Sequence, residues 1–162
     1  MVAKTVLFFL LAGLLLVAGC TSRYNNSVND AESSNNSAGS AGGSLSKSTY
    51  EPFTKEKYEA ARSGGKIIFL EFYANWCPTC SAQKPLIEQA FKELDNPNVV
   101  GFQVNFNDSE TNADETSLAR QFGVIYQHTH VIIDSRENIL LKSQESWPKD
   151  TVIQKLNSVA FN

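Results

Sequence analysis

The chemistry-bearing residues of this chain are two thiols in the pattern Cys77-Pro78-Thr79-Cys80. An apolar, aromatic-rich run, Phe69-Leu70-Glu71-Phe72-Tyr73, reads as a buried strand that stops at Ala74-Asn75-Trp76. The cysteine pair then opens a helix that continues through Gln83, Leu86, Ile87, Ala90, Phe91 and Leu94. Two thiols at a helix N-terminus meet free backbone N–H groups and the positive end of the helix dipole, both of which stabilise a thiolate. In that arrangement Cys77 is the exposed nucleophile, and Cys80, about one turn further in, resolves a mixed disulfide. The competing uses of such a pair are half a zinc site or a structural disulfide. The chain has three cysteines, so no second pair completes a zinc-ribbon set.

Glu71-Phe72-Tyr73-Ala74-Asn75-Trp76-Cys77-Pro78-Thr79-Cys80 resembles the active-site strand and loop of the thioredoxin superfamily. Pro85 matches the proline that kinks the active-site helix in that family, a position where proline otherwise removes an intrahelical bond. The resemblance covers roughly residues 50–161. Its flavour is the extracytoplasmic, membrane-tethered branch, similar to the C-terminal domain of the DsbD reductases and to TlpA/ResA-type proteins. It implies an α/β thioredoxin fold, a central mixed β-sheet with helices on both faces. It also implies a buried acid at Glu71 beneath Cys80, able to accept and return the Cys80 proton because burial raises a carboxyl pKa. The lysine often found opposite that acid is matched by Gln103, which leaves Glu71 without a charge partner. Trp76 is expected to pack beside the disulfide and shield it. Pro78 and Thr79 help set the reduction potential, proline by restricting the loop and Thr79 by offering a hydroxyl to the Cys77 thiolate.

The largest departure from the family lies in Tyr126-Gln127-His128-Thr129-His130. In register, His128 occupies the position of the family's cis-proline, with Gln127 and Thr129 beside it as substrate-groove residues. A non-proline cis bond costs about 2.5–4 kcal/mol, so Gln127–His128 is expected to be trans. An imidazole there is expected within a few ångströms of Cys77. It can stabilise the thiolate, act as a general acid, or complete a Cys-Cys-His metal site. The segment is similar to the histidine segment of the SCO copper chaperones, so a copper site of Cys77, Cys80 and His128 is the alternative reading. SCO proteins place three residues between the cysteines, where this chain has two. His130 reads as surface or strand packing.

The elements that must position these residues follow from the rest of the 162-residue chain. Residues 1–19 read as a signal peptide, with Lys4 as the positive n-region and an apolar stretch of about a dozen residues, short for a membrane span. Leu16-Val17-Ala18-Gly19-Cys20 resembles a lipobox, which makes Cys20 the lipidated residue and leaves Cys77 and Cys80 as the free thiols. Residues 20–49 are dominated by Ser, Asn, Gly and Ala and read as a disordered linker with a typical reach of roughly 30 Å. Residues 50–162 form the domain. Thr54 caps a first helix with Phe53 and Tyr58 as its hydrophobic staple, and Ser63-Gly64-Gly65 ends it. Residues 66–73 form the central strand, and residues 99–106 a second with Val100, Phe102, Val104 and Phe106 on one face. Asn112 caps a helix that Gly123 stops. Residues 130–134 and 139–143 form a hairpin, and Pro148 opens a last helix burying Val152, Ile153, Leu156 and Val159.

The net charge of −3 gives no basic footprint for nucleic acid. Together these features predict a lipid-anchored, extracytoplasmic thiol-disulfide oxidoreductase that reduces protein disulfides without a cofactor beyond its own Cys77–Cys80 pair. Its electrons would come from a membrane donor of the DsbD/CcdA kind.

Overall fold

The computed structural model describes residues 47–160. The elements run β1 (Thr49–Pro52), α1 (Lys55–Ser63), β2 (Ile67–Tyr73), α2 (Pro78–Glu93), β3 (Val99–Asn105), α3 (Ala113–Gln121), β4 (Thr129–Ile133), β5 (Ile139–Ser143) and α4 (Lys149–Ala160). They build a five-stranded sheet in the order β1-β3-β2-β4-β5. The first three strands are parallel, β4 is antiparallel to β2, and β5 closes the hairpin with β4. The predicted signal peptide, Cys20 and the linker lie outside the described residues.

Burial of β2 explains why the sheet centres on it: Ile68, Phe69, Leu70, Glu71 and Phe72 are all fully buried. Side chains alternate along a strand, so the two halves of that run face opposite layers. Ile68, Leu70 and Phe72 join Tyr58, Phe102, Leu118 and Phe122 in one core beneath α1 and α3. Phe69 joins Ile87, Phe91, Trp147, Val152 and Leu156 in the other, beneath α2 and α4. Glu71, two residues from Phe69, therefore belongs to the α2 side.

The local signals work as their chemistry requires. Thr54 accepts the Lys57 N–H, and Phe53 and Tyr58 pack with ring centroids 5.8 Å apart. Asn112 and Glu115 form a reciprocal capping box on α3. Gly65 and Gly123 take positive φ where their helices end.

One element is additional to the predicted order. β1 precedes α1 and pairs with β3 at the sheet edge. Four residues ending in a proline carry too little alternation to announce a strand, and an edge is where proline is tolerated. Just ahead of it, buried Ser48 donates to the carbonyls of Phe91 and Leu94 at the end of α2.

Candidate active site

Cys77 and Cys80 are joined in a disulfide whose Cα atoms are 5.3 Å apart. Cys77 is the N-cap of α2, with extended backbone, and its Sγ accepts the Cys80 N–H at 3.2 Å. Pro78 fills the first helical position, where a missing N–H costs nothing. Pro85 lies inside the same helix. Cys77 is 5% exposed and Cys80 0%, so both are buried and the little exposure the pair has lies on Cys77. That asymmetry suits attack through Cys77 and resolution by Cys80. With Ala74 and the partly buried Tyr73 the two cysteines form a small apolar cluster of their own.

Glu71 is wholly buried on the α2 side of the sheet. Burial raises its pKa to about 7, against the smaller opposing pulls of a hydrogen bond from Tyr50 and the positive charge of Lys84. Gln103 is its register neighbour on β3, but the Gln103 amide reaches Asn105. The partner of Glu71 is instead the Tyr50 hydroxyl, which donates to Oε2, and the helix α2 supplies the cation. Glu71 is thus held more firmly than the sequence reading expects. Its Oε1 has no hydrogen-bond partner.

Trp76 is 55% exposed, with its indole N–H donating to the Asn107 carbonyl at 3.1 Å. It is fastened to the loop after β3 and more than half exposed. Pro78 and Thr79 are exposed on the first turn of α2. The hydrogen bond that Cys77 Sγ accepts comes from the Cys80 backbone; the predicted Thr79 hydroxyl is not the donor found.

His128 has left-handed backbone, φ 59°, and all described peptide bonds are trans. Its N–H donates to the Phe72 carbonyl at 2.7 Å, which stitches the loop before β4 onto β2. Its Nε2 lies 3.0 Å from Ser146 Oγ, and its ring stands edge-on to His130 at 5.1 Å. Burial lowers its pKa. The ring thus meets Ser146 and His130, and among the described residues no group of three His, Cys, Asp or Glu side chains is arranged to hold a metal ion. Gln127 is half-buried, and Thr129 is fully buried with its hydroxyl donating to the Tyr126 carbonyl.

His130, expected as surface or packing, is completely buried in β4. It stacks on Phe69 at 5.7 Å and lies tilted against Trp147 at 4.7 Å. Burial is the main cause that drives its pKa down to about 3. The Glu145 backbone is the hydrogen-bonding group that reaches the ring and pulls its pKa part of the way back up. Gln83 on α2 exchanges two hydrogen bonds with the Trp147 backbone, both 2.8 Å, and so clamps α2 to the segment entering α4. Tyr50, Lys84 and Gln83 escape sequence reasoning because each acts on an element remote from it in sequence. One signal for Tyr50 was present: a glycine inside β3, Gly101, marks a place where another group approaches closely.

The thioredoxin family model matches residues 49–158. A thioredoxin of Mycoplasmopsis pulmonis is 32% identical over 109 residues, spanning 65% of this chain and 93% of that protein. A thioredoxin H-type of Fagopyrum esculentum is 33% identical over 53% of this chain and 76% of its own. The crystal structure of Trxlp from Edwardsiella tarda superposes with a TM-score of 0.55 at 22% identity, over 66% of this chain and 97% of that one. With the Cys77–Cys80 disulfide at the head of α2, the chain belongs to the thioredoxin family and is a thiol-disulfide oxidoreductase.

Proposed function

We propose that this chain is a lipid-anchored, extracytoplasmic member of the family that works as a reductase of protein disulfides. The observation that carries the redox roles is the Cys77–Cys80 disulfide at the head of α2, its residual exposure on Cys77, with Glu71 buried on the same side of the sheet as α2. Cys77 attacks the substrate disulfide as a thiolate. Cys80 then displaces the substrate, and Glu71 takes the Cys80 proton. A pKa near 7 suits that task, since a base works best close to ambient pH. His128 tunes the loop facing this site and shares its protons with Ser146. The surface around Trp76, Pro78, Thr79 and Gln127 receives the extended substrate segment.

The anchoring and location rest on the sequence of residues 1–49: the apolar leader, Cys20 in a lipobox-like setting and the polar spacer. A chain outside the cytoplasm takes its electrons from a membrane donor, which would reduce Cys77–Cys80 by the same exchange chemistry.

The test uses the full chain, reduced, against a protein disulfide such as that of insulin. Cys77→Ser abolishes reduction, and Cys80→Ser leaves a persistent mixed disulfide between Cys77 and the substrate. Undiminished turnover by Cys77→Ser sinks the proposal.

A further inference from the structure

Tyr50 spans from the surface cleft to the buried Glu71 carboxyl. On the α2 side of the sheet, Tyr50 on β1, Gly101 on β3 and Phe69 on β2 are successive register neighbours. Gly101 has no side chain, and a Cβ there would lie 2.8 Å from Tyr50 Cδ2 and 2.6 Å from Phe91 Cζ. The phenol ring therefore crosses β3, packs on Phe91 at 5.4 Å and reaches Glu71, two residues beyond Phe69. Tyr50 also lines a surface cleft of about 320 Å³ with Lys47, Ser48, Glu88, Phe91 and Lys92. One side chain touches both a fully buried carboxyl and a solvent-facing cleft.

The other titratable groups around Glu71 are His130, its cross-strand neighbour on β4, Lys84 and Glu88 on α2, and Tyr73 further along β2. Among the described residues, Tyr50 is the side chain that hydrogen-bonds to Glu71.

We propose that Tyr50 is a positioning residue that forms the proton exit of Glu71, linking the carboxyl to water in the cleft lined by Glu88 and Lys92. The inference rests on Glu71 being the base for Cys80. During resolution the Cys80 S–H bond breaks and its proton moves to Glu71. The freed sulfur pair forms the Cys80–Cys77 bond, and the Cys77–substrate sulfur bond breaks, the substrate sulfur leaving with the electron pair as a thiolate. Glu71, now a carboxylic acid, gives its proton to Tyr50 Oη while the Tyr50 hydrogen passes to cleft water. Carboxylate and phenol are both restored, and the proton released balances the thiolate that left. Desolvation, with the adjoining Glu71 charge, raises the Tyr50 pKa, so the phenol passes protons in concert and never stands as a phenolate.

Tyr50→Phe keeps the ring on Phe91 and removes only the hydroxyl. In the full chain two quantities are read: the titration midpoint of a ¹³C-labelled Glu71 carboxyl, and the steady-state rate of disulfide reduction across pH with a dithiol supplying electrons. The midpoint is expected to rise by about one pH unit or more, because a hydrogen bond to the charged form is lost. The turnover rate is expected to fall several-fold even at pH values where Glu71 is ionised in both proteins, because Glu71 must shed its proton before each new cycle. Adding Tyr50→Phe to Glu71→Gln should change the rate no further. An unshifted midpoint, a rate equal to the parent's once Glu71 is ionised, or an additive double variant each overturns the exit. If the parent chain itself does not resolve mixed disulfides, the oxidoreductase mechanism fails first; if Glu71→Gln resolves them at the parent's rate, the base assignment fails.

Discussion

Glu71 and His130 stand directly opposite each other on β2 and β4, and both are completely buried. Burial pushes their pKa values in opposite directions from their ordinary ranges, Glu71 from 4.5 up to about 7 and His130 from 6.5 down to about 3. The folded state therefore disfavours both charges, and the two effects on stability oppose each other. Glu71 binds more proton when folded, so its contribution is complete below pH 4.5 and is lost as pH rises through 7. His130 binds more proton when unfolded, so its contribution is complete above pH 6.5 and is lost as pH falls toward 3. Lowering of the His128 pKa acts in the same sense as His130. Between pH 4.5 and 6.5 the Glu71 and His130 slopes cancel, each being roughly 1.4 kcal/mol per pH unit. Glu71→Gln should unmask a stability that climbs with pH in that window, and His130→Phe one that falls, both read from urea midpoints. Parallel curves for the parent and Glu71→Gln would refute the opposition.

Reduction of a protein disulfide by the parent chain should accelerate as pH rises through about 7, where Glu71 becomes an available base. Glu71→Gln should lose that limb and turn over 10–100-fold more slowly, on the order of the usual contribution of a positioned base. Steady-state rates between pH 5.5 and 8.5 decide it.

Gly101→Ala should destabilise the domain by about 1–3 kcal/mol, because the added methyl overlaps Phe91 and Tyr50. Moving Tyr50 should also disturb its bond to Glu71. Denaturant unfolding and the Glu71 titration should therefore change together. A change in stability alone would mean that Phe91 absorbs the methyl.

Removing the Gln83 clamp by Gln83→Ala strands the N–H and carbonyl of Trp147 in the core. The expected loss is about 2–4 kcal/mol in urea unfolding. Hydrogen exchange should rise at the Trp147 amide and through the first turn of α4.

Restoring proline at the family's position, by His128→Pro, should cost about 3 kcal/mol or more. Proline cannot take φ 59°, and it removes the N–H that donates to Phe72. A thermal melt of His128→Pro equal to that of the parent would show that the loop rebuilds around the ring.

Much of this architecture is written locally. Thr54, Asn112, Pro78 and the glycines after α1 and α3 act on neighbours within a few residues, so their caps and stops are readable from the chain alone. The same holds for the thiol pair, whose spacing and following helix make its chemistry explicit, and for Glu71 as the one charge in an apolar strand. What the sequence could not decide was who faces whom. The edge strand β1 is too short to show a period, so Tyr50 is invisible until β3 pairs with it and Gly101 lets its ring cross. Gln103 is the in-register candidate to partner Glu71, yet a tyrosine two strands away holds the carboxyl. His128 reads as a residue of the site and His130 as surface or strand packing. Left-handed backbone at His128 turns its ring toward Ser146, and burial in β4 sets His130 against Glu71. Local chemistry lies in neighbouring residues; partnership across a sheet depends on pairing and register, which exist only once the chain has folded.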